Sequence, residues 1–118
     1  MFVGTLILRQ GKPFKVSFAL SGTDVADLTG YNFRMMVRTG FSAPSPLLSI
    51  NSAGASPNAT MDVANKVATA DVAASVTAAI TGPTMVTKWV SDAELYHSNG
   101  DVIDLGSYQV EWQPEVTK

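Results

Sequence analysis

The sequence lacks several residue types and patterns on which common protein chemistries depend. It contains no cysteine, which excludes disulfides, thiolate metal sites and cysteine nucleophiles. It has a single histidine, His97, and no glycine-rich phosphate-binding motif. It also has no basic run, and its formal net charge is -2, so the electrostatic footprint of a nucleic-acid-binding protein is missing.

Charge of either sign is scarce. Charged residues make up 15% of the 118 residues and apolar residues 46%, whereas about 25% charged is usual for soluble domains. A chain of this length can bury a core of its own, and we expect one domain over residues 1–118. A surface with few charges is less protected against association, which favours a protein that works in an assembly.

Long hydrophobic runs are also missing. The opening segment MFVGTLILRQ has no positive leader, and its apolar stretch of about seven residues is too short for a membrane span. The sequence therefore predicts a first strand here rather than a secretion signal, and no contact with a membrane.

What the sequence does contain is period-2 alternation of apolar and polar residues, which is typical of half-buried strands. Three segments, 14–20, 31–38 and 107–113, show it clearly. The side chains expected to face inward are Phe14, Val16, Phe18, Leu20, Tyr31, Phe33, Met35, Val37, Tyr108, Val110 and Trp112.

Turn signals recur about every ten residues and divide the chain into about seven to eight short strands. Asn99-Gly100 is typical of a two-residue hairpin turn. The alanine-rich segment DVAASVTAAITG predicts one short helical turn with Asp71 as its N-cap. The predicted class is all-β, either an antiparallel β-sandwich or a small barrel.

Few residues could carry catalysis or bind a ligand. His97 falls at the predicted hairpin tip, where an exposed polar residue is expected anyway. Asp92 and Glu94 share one strand face, but without the spacing of a calcium loop we expect them to pair with Arg34 or Arg38. Since nothing assembles a nucleophile, a base and oxyanion donors, we expect no enzymatic activity, no metal and no cofactor.

Two tryptophans, Trp89 and Trp112, are expected to be core aromatics. Together with Tyr96 they leave one alternative open, a carbohydrate-binding module that stacks sugars on these rings.

We predict contact surfaces where strand faces that point away from the core carry apolar residues or residue types enriched at interfaces. Arginine and methionine are enriched at interfaces, and both lie on the outer side of strand 31–38. The apolar residues on both faces of FVGTLIL suggest an unpaired edge strand. The contact residues predicted in this way are Phe2, Val3, Leu6, Ile7, Arg34, Met36, Arg38 and Phe41. The loop from Ser42 to Asn58 is a third candidate, which would order on assembly.

Four segments in order resemble small tail-associated proteins of tailed bacteriophages. They are DLTGYNFRMMVR, ADVAASVTAAITG, KWVSDAELYHSNGDVIDL and GSYQVEWQPEVTK. The closing Pro-Glu-Val-Thr plus a basic residue corresponds to residues 114–118. The resemblance runs from about Gly11 to the C-terminus and implies an immunoglobulin-like β-sandwich in the virion, without enzymatic activity.

The expected function is accordingly that of a structural component of a phage particle, in the tail, baseplate or adsorption apparatus. Its expected partners are other virion proteins and copies of itself, and its expected location is the virion, assembled in the host cytoplasm. Two alternatives remain at this point: a capsid decoration or cement protein, and the carbohydrate-binding module with a host surface glycan as ligand.

Overall fold

A computed structural model of the chain describes residues 2–20, 27–55 and 57–115. The closing residues Val116 to Lys118, which contribute to the phage resemblance, lie outside these described residues. The described residues form eight strands and one helix: β1 Phe2–Arg9, β2 Phe14–Ala19, β3 Tyr31–Arg38, β4 Leu48–Asn51, β5 Ala59–Asp62, β6 Val67–Val72, α1 Ala74–Ala78, β7 Thr87–His97 and β8 Val102–Gln113.

The strands form two sheets that pack face to face. The five-stranded sheet has the order β1-β8-β7-β3-β4, and the three-stranded sheet has the order β2-β6-β5. This is an immunoglobulin-like β-sandwich, which confirms the predicted fold class and strand number. One pair departs from the antiparallel prediction, because β1 runs parallel to β8.

The core lies between the sheets and is built by the predicted alternation. Phe33, Met35 and Val37 of β3 are almost fully buried, and so are Val110 and Trp112 of β8. Tyr31, Val16 and Tyr108 are partly buried against the same cluster. Burial of each large apolar side chain is worth about 1.5–3 kcal/mol before conformational entropy is subtracted.

The β7–β8 hairpin exists, but its turn is not the predicted two-residue one. The N–H of His97 donates to the carbonyl of Asp101, which encloses residues 98–100. Within this loop Gly100 has a positive φ, at 98°, while Asn99 does not. A two-residue type I′ turn needs positive φ at both central residues, whereas a three-residue loop needs it only at the last.

The helical turn is also confirmed, but Asp71 does not cap it. Asp71 is still within β6, where it pairs with Lys15 of β2. The neighbouring Val72 is fully buried. Because β6 extends to Val72 to place that side chain in the core, Asp71 stays in the strand. The helix therefore begins later, and its N-cap is Ala73, which offers no side-chain hydrogen bond.

Candidate binding face

The candidate site is the side of the five-stranded sheet that faces away from the core, here called the outer face. On β3 it carries Arg34, Met36 and Arg38, because the alternate residues point into the sandwich. The register places these three beside Glu94, Asp92 and Val90 of β7. β3 is therefore divided into a core side and an outward side as predicted, and the contact role of the outward side stays a prediction.

An irregularity in β1 adds an aromatic ring to the outer face. The register with β8 shifts between Phe2 and Gly4, so Phe2 lies beside Ser107 on the outer face while Leu6 and Leu8 point inward. A bulge of this kind re-aims the side chains that precede it. The ring of Phe2 then stacks on Phe41 with centroids 6.0 Å apart and an interplanar angle of 18°.

Phe41 follows β3 and turns back over the outer face. It lines a small depression with Met36, Arg38, Val90 and Asp92. Phe41 is 63% exposed and Phe2 is 38% exposed. Phe2, Phe41, Met36 and Val90 thus form an apolar cluster on the outer face, and we call it the aromatic cluster.

Arg34 is already engaged within the sheet. Its Nε donates to Glu94 Oε1 across the β3–β7 pair, as expected for the predicted cross-strand pairing. Its guanidinium lies 4.5 Å from the centroid of the Tyr96 ring. The Tyr96 hydroxyl donates to Asn51 Oδ1 at 2.6 Å. Arg34 therefore stiffens the outer face and has little freedom left to bind a partner.

Arg38 and Asp92 differ from Arg34 because neither forms an ion pair in the described part of the chain. Arg38 donates to the carbonyl of Ala43 at 3.3 Å and contacts Met36 Sδ at 3.2 Å. Asp92 is exposed. Both line a depression of about 260 Å³ with Arg34, Met36 and Glu94. One cation and one carboxylate next to the aromatic cluster thus form no ion pair within the described part of the chain.

A second ion pair lies toward the β1 edge of the same face. Lys88 Nζ is 3.0 Å from Glu111 Oε1. The side-chain amide of Gln113 donates to Glu111 Oε2 at 2.7 Å. This amide and then Lys88 hold the pKa of Glu111 below its usual value, since both stabilise the carboxylate. Glu111 is thereby satisfied within the chain.

Of the residues predicted as contacts, all but Val3 and Leu6 lie on the outer face. Val3 is at the bulge and 65% exposed; a Cβ on Gly106, whose φ is 108°, would collide with it. Leu6 points toward the other sheet and is partly buried against the core. It also lines a cavity of about 230 Å³ that opens between β1 and β2.

The edge prediction for β1 agrees with the topology. β1 is the outermost strand of its sheet and pairs only with β8 within the described residues. β2 is likewise an outermost strand, in the opposite sheet. The backbone on the free side of each is open to a further strand.

The loop predicted to order on assembly is already folded in the isolated chain where it is described. It contains β4, which pairs with β3. Beyond β4, the Asn58 side chain accepts from the Asn51 N–H at 2.8 Å and donates to the Ser49 carbonyl at 3.0 Å. These bonds supply the order that the sequence alone did not reveal.

The other candidate residues have structural surroundings. His97 packs edge-on against Tyr31, with centroids 4.9 Å apart, and its Nδ1 accepts from the Asn99 N–H. Trp89 and Trp112 are stacked at 4.8 Å and are 2% and 0% exposed. The tryptophans are core residues, as predicted, and no sugar ring can reach them in this fold.

Sequence reasoning missed the aromatic cluster as a unit. Phe2 and Phe41 were both predicted as contacts, but nothing in the local pattern indicated that they stack on each other. Val90 was not singled out, although it is the outward-facing neighbour of the buried Trp89 in an alternating strand. That alternation is the one signal that could have identified it.

Neither a metal cluster nor a membrane helix is found among the described residues. No group of three or more histidine, cysteine, aspartate or glutamate side chains could hold a metal ion there. Nor does this part of the chain contain a helix with the length and apolar character needed to cross a membrane.

Comparisons with known proteins assign no family to the chain. No protein-family model matches the sequence, and no curated protein matches it either. One solved structure to which the chain is similar is the crystal structure of CopC from Methylosinus trichosporium OB3b. The alignment covers 100% of this chain and 90% of that chain, with a TM-score of 0.43 and 14% sequence identity. The fold assignment rests on the sheets and registers described above.

Proposed function

We propose that this chain is a non-enzymatic structural subunit of a tailed-bacteriophage particle, in the tail, baseplate or adsorption apparatus. It binds neighbouring subunits through the outer face of the five-stranded sheet. The observation that carries the proposal is the aromatic cluster on that face, flanked by Arg38 and Asp92. Exposed aromatics, methionine and arginine on one rigid surface are characteristic of subunit contacts.

Two further features support the proposal. The four segments that resemble phage tail-associated proteins occur in order along a stretch that spans most of the chain. The free backbone edge of β1 provides a second place where a neighbour can add a strand. In a symmetric particle, repetition multiplies such contacts, so that individually weak ones suffice.

Incorporation into particles tests this function. Phage lacking the gene would be complemented with the wild-type chain, Phe41→Ser or the matched control Val76→Ser, which removes an apolar side chain that is 43% exposed on α1. Mass spectrometry of purified particles should detect wild type and Val76→Ser equally. Phe41→Ser should fall by about tenfold, the effect of losing roughly 1.4 kcal/mol at a contact.

The outcome that overturns the proposal is a chain abundant in infected-cell lysate and missing from purified particles. Copy number distinguishes a tail location from the capsid-decoration alternative, since hundreds of copies per particle would be expected only on a capsid lattice. For the carbohydrate alternative, Trp89 and Trp112 cannot serve as a stacking surface for a sugar, because both are buried.

A further inference from the structure

The charges on the outer face are unevenly satisfied. Arg34 pairs with Glu94, and Lys88 with Glu111. Arg38 and Asp92 form no ion pair in the described part of the chain. They belong to adjacent strands, since Arg38 pairs with Val90 and Asp92 with Met36. A cation and a carboxylate that form no ion pair therefore lie diagonally across the β3–β7 pair, two residues apart in register.

Both charges adjoin the surface that a partner would cover. Each lines the same small depression with Phe41 and Met36. Covering Phe41, which is 63% exposed, would also remove water from the two charges beside it. A charge buried without a partner costs several kcal/mol, so the face favours a partner that places a carboxylate opposite Arg38 and a cation opposite Asp92.

A second copy of this chain carries that arrangement by symmetry. In a twofold interface, if residue i of one copy contacts residue j of the other, then j of the first contacts i of the second. We infer that two copies bind through their outer faces about a twofold axis, so that Arg38 of each copy faces Asp92 of the other. This inference rests on the proposed function, because both use the outer face as the subunit contact. It adds that the partner at this face is a second copy of the chain.

The inference predicts a specific pattern of charge reversals. Arg38→Glu places two carboxylates opposite each other at both symmetric contacts, and Asp92→Lys places two cations there. Each variant should therefore self-associate at least about tenfold more weakly than wild type. In an equimolar mixture of the two variants, however, the introduced carboxylate of one chain meets the introduced ammonium of the other. The unchanged Asp92 and Arg38 still pair at the second contact, so the mixed dimer should form.

Analytical ultracentrifugation of the full chain tests this pattern at concentrations up to about 100 μM, which would detect dissociation constants in the micromolar range. Lys15→Glu is the matched control for Arg38→Glu. It also replaces a cation by a carboxylate, but on the exposed side of β2 in the opposite sheet. Circular dichroism would verify that each variant is folded. We expect the wild type and the control to dimerise equally. Each charge-reversal variant alone should dimerise more weakly, and the mixture of the two should dimerise again.

Three results would overturn the inference: a monomeric wild type over the whole range, a dimer that the reversals leave intact, or weakened variants that do not recover when mixed. The last result would show that Arg38 of one copy does not face Asp92 of the other. Because incorporation into particles is measured separately, a monomeric chain that still enters particles would refute the twofold pairing and leave the structural role standing.

Discussion

Met35 and Met36 are neighbours on β3 and have the same side chain, yet the fold uses them in opposite ways. Met35 is 1% exposed and belongs to the core between the sheets. Met36 faces outward, contacts Arg38 and borders the aromatic cluster. The strand thus separates two tasks, since one side stabilises the sandwich and the other remains available to a partner. Substitutions on the two sides should therefore affect different measurements.

The largest expected effect on stability comes from a substitution on the buried side of β3. Met35→Ala should lower the free energy of unfolding by about 2–5 kcal/mol, because it removes buried methylenes and leaves a cavity. Met36→Ala, the matched control, should change it by less than about 1 kcal/mol. Urea denaturation measures both. Equal losses for the two variants would show that the two sides of β3 are not divided in this way.

A smaller effect is expected where the interior contains a polar group. Thr77 is fully buried; its hydroxyl donates to the Lys12 carbonyl at 2.7 Å and accepts from the Gly11 N–H at 3.1 Å. Thr77→Val keeps the shape but leaves both backbone groups unpaired, which should cost about 1–3 kcal/mol.

The same unfolding assay applies, with Thr77→Ser as the control because it keeps the hydroxyl. If valine were as stable as serine at this position, the polar contact between α1 and the β1–β2 turn would not contribute to stability.

On the outer side, the Arg34–Glu94 pair should contribute only modestly to stability. The two side chains are 37% and 35% exposed, and pairs of this kind contribute about 0.2–1 kcal/mol. A double-mutant cycle with Arg34→Met and Glu94→Gln measures the coupling free energy. A coupling free energy well above this range would mean that the outer side of β3 also stabilises the fold strongly. The two sides of β3 would then not differ in their contribution to stability as described.

The smallest effect should appear at acidic pH. The pKa of Glu111 is lowered in the folded protein by Gln113 and Lys88. The carboxylate therefore stabilises the fold above its usual pKa of 4.5, and this stabilisation is lost as the pH falls through the lower folded value. NMR titration should find the Glu111 pKa below 4.5 in wild type and closer to it in Lys88→Met. An unchanged pKa in that variant would remove Lys88 as a cause.

Much of the inner side could be predicted from the sequence, because period-2 alternation directly reports which residues share a buried face. Phe33, Met35 and Val37 on β3 and Val110 and Trp112 on β8 were identified in this way. The outward set on β3 followed from the same pattern. Local periodicity was sufficient here because each of these strands is buried on one side only.

The rest depends on contacts that are distant in the sequence. Nothing in β1 indicates that it joins β8 in parallel, since that pairing links the two ends of the chain. The bulge between Phe2 and Gly4 reverses the side of the strand on which Phe2 lies, and a period-2 pattern cannot show it. Asp71 resembles a helix N-cap locally, but the pairing of β6 with β2 keeps it in a strand.

The most direct test of the central claim is hydroxyl-radical footprinting of the chain in purified particles and in isolation. If the outer face is the contact surface, Met36 and Phe41 should become protected in particles, while Met85, which is 71% exposed in the segment before β7, stays reactive. Unchanged reactivity at Met36 and Phe41 in particles that contain the chain would contradict the account.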